Sequence, residues 1–321
     1  MRILLVVLSV LMACGDDSSG PDATTVIDSA VDVDAGSRAD AEIVDSDISD
    51  TNRDVSQDGQ VDATEPDGGR DTDAGEADAG SSVRLPPMNG RFDYQLGGDY
   101  PPPEGISIVE RDREGTPAAG LYNICYVNGY QTQPGESGDW DSALFLRDTD
   151  GDPLIDADWP GEVILDISTA DKRTRIAAQL GGWIRQCAAD GFDAVEIDNL
   201  DTYSRASGAT VRITQDDAVA LMVLLVAHAH GAGLAIAQKN SAELLGRRAE
   251  LETDFVVVEE CSQYEECAAF VEAYGAMVLM IEYRRNAFSE GCATYGASHA
   301  IVLRDLNLVL PSAGRYVFDD C

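Results

Sequence analysis

From residue 86 onward, short runs of apolar, often β-branched residues alternate with longer stretches whose apolar positions recur every three or four residues. The first pattern suits strands buried on both faces, and the second suits helices with one buried stripe. Nine strand candidates emerge: Phe92–Leu96, Ile106–Glu110, Leu121–Asn128, Val163–Ile167, Ala194–Asp198, Leu234–Lys239, Phe255–Glu259, Val278–Tyr283 and Ala300–Asp305. Between them, Thr174 to Ala189 sets Ile176, Leu180, Trp183, Ile184 and Cys187 on one face, and Gly191 follows as a left-handed C-cap. Thr214-Gln215-Asp216-Asp217 reads as a capping box that opens an apolar helix running to His230 and stopping at Gly231. Ser241 is expected to cap Ala242–Leu251, and Tyr264–Tyr274 forms another helix. Strands alternating with helices argue for βα units on a parallel sheet, and a folded span of this size suits one α/β barrel of the (β/α)8 TIM type. With nine candidates for eight places, one is an extra or edge strand.

The first 85 residues lack this pattern. Arg2 followed by the apolar run Ile3–Leu11 is too short for a membrane span and reads as an export signal. It ends in Leu11-Met12-Ala13-Cys14, which is similar to a bacterial lipobox, so Cys14 is expected to carry lipid. The expectation is an exported protein, anchored by that lipid alone to the bacterial cell envelope or surface. Residues 15–85 hold 20 acidic residues, 4 arginines, no lysine and no aromatic. Such a stretch has too little apolar surface to offset the entropy of ordering, and its like charges repel, so a disordered acidic linker is expected. The folded domain is placed at 86–321.

That domain carries 38 acidic residues against 17 lysines and arginines, a net of −21. A field of this sign repels nucleic acid and favours cationic ligands. The chain shows no Gly-rich phosphate loop, no His/Cys metal cluster and no Gly-x-Ser-x-Gly elbow, so neither cofactor nor metal is expected. His228, His230 and His299 read as structural. Asp148-Thr149-Asp150-Gly151-Asp152 lacks the glutamate a calcium loop needs and reads as a hairpin turn. Six cysteines in an exported domain favour disulfides. Cys261 and Cys267 flank a short turn and Cys292 can staple Cys321, leaving Cys125 and Cys187, which pair or stay as ordinary buried thiols.

The strand ends carry the chemistry. They finish in Asp93-Tyr94-Gln95, Glu110-Arg111-Asp112, Tyr126-Val127-Asn128, Asp166, Glu196-Ile197-Asp198-Asn199, Gln238-Lys239-Asn240, Glu259-Glu260 and Glu282-Tyr283. In a parallel barrel these ends open into the active-site mouth, where acids, amides and aromatics suit sugars. Alternation puts Glu196 and Asp198 on one face of their strand and Glu260 opposite Glu259.

Asp93-Tyr94-Gln95-Leu96-Gly97-Gly98, Tyr122 to Asn128, Gly191 to Asp201, Ala237-Gln238-Lys239-Asn240 and Glu259-Glu260-Cys261 through Cys267 together resemble the endo-α-1,4-polygalactosaminidase family of glycoside hydrolases (family 114). The resemblance runs in order through the domain from Phe92 and does not extend to the linker. It implies a TIM-type barrel that cleaves α-1,4-linked galactosamine-containing polysaccharide with retention. It also implies that Asp198, after the fifth strand candidate, and Glu259 are the catalytic pair. Glycoside hydrolysis needs one carboxylic acid to protonate the leaving oxygen and one carboxylate to attack the anomeric carbon. Asp93, Gln95, Asp112, Asp166, Glu196, Asn199, Lys239 and Glu282 are then expected to bind the substrate's hydroxyl or ammonium groups. Tyr126, Asn128 and Asn240 would orient the sugar, with Trp140 or Trp159 stacking on it. The expected partner is a cationic amino-sugar polymer met by a monomer. The rival readings are a non-catalytic carbohydrate-binding barrel and a hydrolase of another α-linked glycan.

Overall fold

The computed structural model describes residues 83–321; the readings placed on Met1–Cys14 and on the linker up to residue 82 lie outside them. Eight parallel strands follow in chain order: β1 (Phe92–Gln95), β2 (Ile108–Asp112), β3 (Tyr122–Asn128), β4 (Ala194–Asp198), β5 (Ala235–Lys239), β6 (Phe255–Glu259), β7 (Val278–Glu282) and β8 (Ala300–Arg304). Each is hydrogen-bonded to the next, and a short β9 (Phe318–Asp320) runs antiparallel along β8. β1 lies against β8, and a buried ion pair of 3.2 Å between Arg304 and Asp93 joins them. The sheet thus curls into the expected TIM-type barrel.

The supernumerary candidate is Val163–Ile167. It makes only isolated antiparallel bridges, Val163 to Ile155, Ile164 to Gln131 and Leu165 to Phe145, inside the long connection after β3. Ile164 and Leu165 are fully buried beneath that connection, so an apolar run mimics a strand because it fills a core. Asp198 therefore ends the fourth barrel strand, not the fifth. The terminal β9 has no apolar run to announce it.

The helices are α1 (Ala170–Asp190), α2 (Thr202–Arg205), α3 (Gln215–Gly231), α4 (Arg248–Leu251), α5 (Cys267–Tyr274) and α6 (Arg285–Tyr295). Thr214 and Asp217 form the reciprocal capping box at the start of α3, and Gly191 closes α1 with φ 97°. α1 and α3 pack so closely that a Cβ on Gly181 would sit 2.7 Å from the His228 ring. Ser241 does not cap: it is left-handed (φ 62°), and a 3-10 turn over Ala242–Arg247 precedes α4. Glu265, also left-handed, delays α5 to Cys267. Helix α6, rich in poor helix formers, carries its helical spacing on Phe288, Cys292 and Tyr295, a stripe that sequence reading passed over. Among the described residues the connections leaving β1 and β2 contain no helix.

Three apolar clusters result. One fills the barrel with Phe92, Ile108, Tyr122, Ala235, Phe255, Ile281 and Val302, and two lie between strands and helices. The cysteines pair as Cys125–Cys187, Cys261–Cys267 and Cys292–Cys321. Asp148 accepts the N–H groups of Asp150 and Asp152 inside a hairpin whose flanks bridge Arg147 to Pro153. Val83 packs on the barrel cluster, and Arg84 pairs with Asp193 at 2.7 Å.

Candidate active site

The barrel's inward positions follow from strand parity. On β3 they are Tyr122, Ile124 and Tyr126; on β4, Ala194, Glu196 and Asp198; on β5, Ala235, Ala237 and Lys239; on β6, Phe255, Val257 and Glu259. Apolar side chains occupy the lower layers and polar ones the top. Alanines on β4 and β5 leave room for the long Tyr94, Glu110 and Glu196, all fully buried or nearly so. Above them opens a cavity of about 460 Å³ lined by Tyr94, Tyr126, Trp159, Glu162, Asp198, Asn199, Asp201, Arg205, Lys239, Asn240, Glu259, Glu260, Tyr283 and Leu306–Leu308, among others.

Lys239 is the hub. Its ammonium, 2% exposed, lies 3.1 Å from Glu196, 3.3 Å from Asp198, 3.3 Å from Glu259 and 3.2 Å from the Tyr94 hydroxyl. Burial alone would drive its proton off. The carboxylates of Asp198, Glu196 and Glu259 outweigh that and hold it charged, well above the usual lysine range. A compact ammonium with three donors fits such a crowd of acceptors better than a planar guanidinium.

Asp198 is partly open to the cavity. Burial works to raise its carboxyl, but Lys239, the Tyr126 hydroxyl at 2.8 Å and the Asn199 N–H at 2.8 Å hold it below the ordinary aspartate value. Glu259 accepts from Tyr283 Oη on one oxygen and from Asn240 Nδ2 (3.2 Å) on the other. The Glu259 N–H in turn donates to Asn240 Oδ1 at 2.8 Å. Burial raises the Tyr126 and Tyr283 hydroxyls, so both remain donors. The Asp198 and Glu259 oxygens share Lys239 Nζ through two contacts of 3.3 Å, so they lie no more than 6.6 Å apart. Burial pushes Glu162 up to about 7.

Of the strand-end residues read from sequence, Tyr126, Glu196, Asp198, Asn199, Lys239, Asn240 and Glu259 converge here. Asn128 stands behind them, accepting from Asn199 Nδ2 (3.0 Å) and donating to Glu162 (2.9 Å). Five others lie elsewhere. Asp93 and Gln95 have outward parity on β1, where they join Tyr100, Arg111 and Arg304 in a buried network. Asp112 is held by Gln133 and the Glu114 N–H, and Asp166, off the barrel strands, by Lys172 and Ser168. Glu282 faces outward and accepts the Ser262 N–H at 2.8 Å. Trp140 is buried edge-on against Trp183, whereas Trp159, 53% exposed, lines the cavity. Glu260 also lines it, because its left-handed backbone (φ 55°) breaks strand alternation.

Sequence reading placed Tyr94, Glu110 and Tyr283 at strand ends but gave them no role, although parity alone puts them inward with Phe92, Ile108 and Ile281. Glu162 comes from the long connection after β3 and carries no local signal, whereas Asp201 closes the motif Gly191 to Asp201 without having been given a role and pairs with Arg205 four residues on. Arg205 joins Asp156, Asp201 and Asn199 Oδ1 (2.6 Å), which fixes the left-handed Asn199 beside Asp198.

The family model for glycoside-hydrolase family GH114 matches residues 72–321. Among solved structures, the fold is similar to Aspergillus fumigatus Ega3 in complex with galactosamine (21% identity, TM-score 0.61, covering 74% of this chain and 98% of that one). It is also similar to the glycoside hydrolase domain of PelA from Pseudomonas aeruginosa (12% identity, TM-score 0.51, covering 71% of this chain and 97% of that one). At these identities the likeness is one of fold. No curated protein matches the chain in sequence.

Proposed function

The chain belongs to glycoside-hydrolase family GH114 and is a glycoside hydrolase, and from that premise we propose that it cleaves α-1,4-linked galactosamine-containing polysaccharide with retention, using Asp198 and Glu259. The observation that carries this reading is the pair of carboxyl groups facing one cavity from strands β4 and β6, no more than 6.6 Å apart across Lys239. Retaining enzymes hold their two groups about 5–5.5 Å apart, and inverting ones need about 6.5–9.5 Å to admit a water.

In the first step an Asp198 oxygen attacks the anomeric carbon as Glu259 gives its proton to the departing glycosidic oxygen. The Tyr126 hydroxyl, the Asn199 N–H and Lys239 keep Asp198 ionised and aimed. In the second step Glu259 takes a proton from water, whose oxygen displaces Asp198 from the sugar. Asn240 and Tyr283 hold Glu259 in one rotamer through both steps.

The choice of an amino sugar rests on charge. Glu162, Asp201 and Glu260 add to the catalytic pair, while Arg205 and Lys239 are the cations among the lining residues. Trp159 and Leu306 offer apolar surface at the rim for a sugar face. The same proposal keeps the enzyme outside the cell, tethered through lipidated Cys14. Three disulfides fit an oxidising compartment.

The test is reducing-end release from a panel of defined polysaccharides, with the first-formed anomer followed by NMR. Release from the α-1,4-galactosamine polymer with an α first product is expected. A β first product would overturn retention, and activity confined to neutral glycans would overturn the amino-sugar assignment.

A further inference from the structure

Beneath the proposed catalytic pair lies a second pair of acids that the chemistry does not use. Glu110 on β2 and Glu196 on β4 both point into the barrel, and both are fully buried. Glu196 Oε1 accepts from Lys239 at 3.1 Å and faces the Tyr94 hydroxyl at 3.5 Å. Its Oε2, together with both oxygens of Glu110, finds no donor among the described residues. Both side chains enter the barrel interior from the strands that flank β3, and each carboxyl acts on the titration of the other.

Two ionised carboxylates in this position would repel and leave three oxygens unpaired in an apolar interior, a cost of several kcal/mol. One proton removes the conflict, since it turns Glu110 into a donor and Glu196 Oε2 into its acceptor. The surroundings push the same way: burial, then the Glu196 charge, raises Glu110 well above the glutamate range.

We propose that Glu110 and Glu196 hold one proton between them and act as a single buried counter-charge that seats Lys239 between Asp198 and Glu259. Both are positioning residues, since neither lines the cavity. With one proton on the pair, Lys239 faces one negative charge from below and the reacting carboxyls from above. Without the lower charge the ammonium would be drawn upward, onto the groups that must attack and protonate the sugar. The positioning role rests on the catalytic reading given above; the shared proton does not.

The experiment therefore has two arms on the full-length protein. Infrared difference spectra at neutral pH, wild type against Glu110→Gln, should show the C=O stretch of a protonated carboxyl in the wild type alone. Absence of that band overturns the shared proton, whatever the enzyme's substrate. In the kinetic arm, Glu196→Gln, which removes the lower charge, should lower kcat by about tenfold or more, the rate equivalent of one pKa unit of misplaced charge, and Glu110→Leu, which strips Glu196 of its donor, should lower it too, each with KM little changed. Glu110→Gln, which keeps a donor toward Glu196 and the same net charge, should restore most of what Glu110→Leu loses. Wild-type kcat in Glu196→Gln, or no rescue by Glu110→Gln, overturns the positioning role. If the wild type itself is inactive on the polymer, the catalytic reading fails while the infrared result still decides the proton.

Discussion

Replacing Lys239 with methionine keeps the side chain's bulk and deletes its charge, which makes it a sharp probe of the site. Each carboxylate contact at 3.1–3.3 Å is worth about 5 kcal/mol before desolvation, at an effective dielectric of about 20. Most of that offsets the cost of burying the ions, so the measurable quantity is the cost of orphaning the partners, about 3–5 kcal/mol for one removed member of a buried charge group. For a domain of this size that is a drop in Tm of about 6–20 °C. Its pH dependence carries a sign. Lys239 is held protonated above its usual range, so its contribution is complete below the unfolded lysine value and fades only as pH rises through the higher folded one. Asp198 is depressed, so its contribution is present above the unfolded aspartate value and is lost as pH falls through the folded one. The Tm gap between wild type and Lys239→Met should therefore be widest around neutral pH and narrow on acidification, as the orphaned carboxylates take up protons. Without the lysine, burial dominates Asp198, and the acid limb of kcat/KM should move to higher pH. Scanning fluorimetry across a pH series and a pH–rate profile measure both. A gap as wide under acidic conditions as at neutrality, or an unmoved acid limb, would refute the argument.

Asp198→Asn should bring turnover to background, and Glu259→Gln should cost about 10²–10⁴-fold on the polymer but far less with a leaving group that needs no proton; kinetics on the polymer and on an activated aryl glycoside check this. Glu260→Gln should raise KM more than it lowers kcat, because Glu260 lines the cavity without touching Lys239; a kcat loss matching that of Glu259→Gln would move the acid by one residue. Serine at both Cys292 and Cys321 opens a closure of 29 residues that ties the β9 end to α6, and should lower stability by about 3–4 kcal/mol in chemical denaturation. Cys14→Ala should move the protein from the membrane fraction to the soluble one, and persistent membrane association would end the lipid-anchor reading.

The helix boundaries that sequence reading placed well are those written in local chemistry. The Thr214–Asp217 capping box and the left-handed Gly191 need only neighbouring residues to form. The eight barrel strands were legible because parallel strands buried on both faces must be apolar nearly throughout. The same rule misled at Val163–Ile167, where burial under a long connection produces the same composition without strand pairing. Ser241 and Glu265 fell outside the rules because their left-handed backbones are imposed by the turns around them, not by residue type.

Within the candidate site, period-two alternation was enough to bring Asp198, Lys239 and Glu259 to one rim, since side chains two apart on a strand share a face. It was not applied to Asp93, Gln95 and Glu282, whose parity turns them outward, nor to Tyr94, Glu110 and Tyr283, whose parity turns them in. What the chain determined by itself was thus the repeating unit and the polar ends of its strands, because those depend on residues a few positions apart. Curling the sheet decided the rest. It set Lys239 against acids 41 and 43 positions upstream and 20 downstream, and it drew Glu162 and Arg205 in from the connections. It also buried Glu110 beside Glu196. Electrostatic coupling falls with distance in space, and only the curled barrel defines those distances.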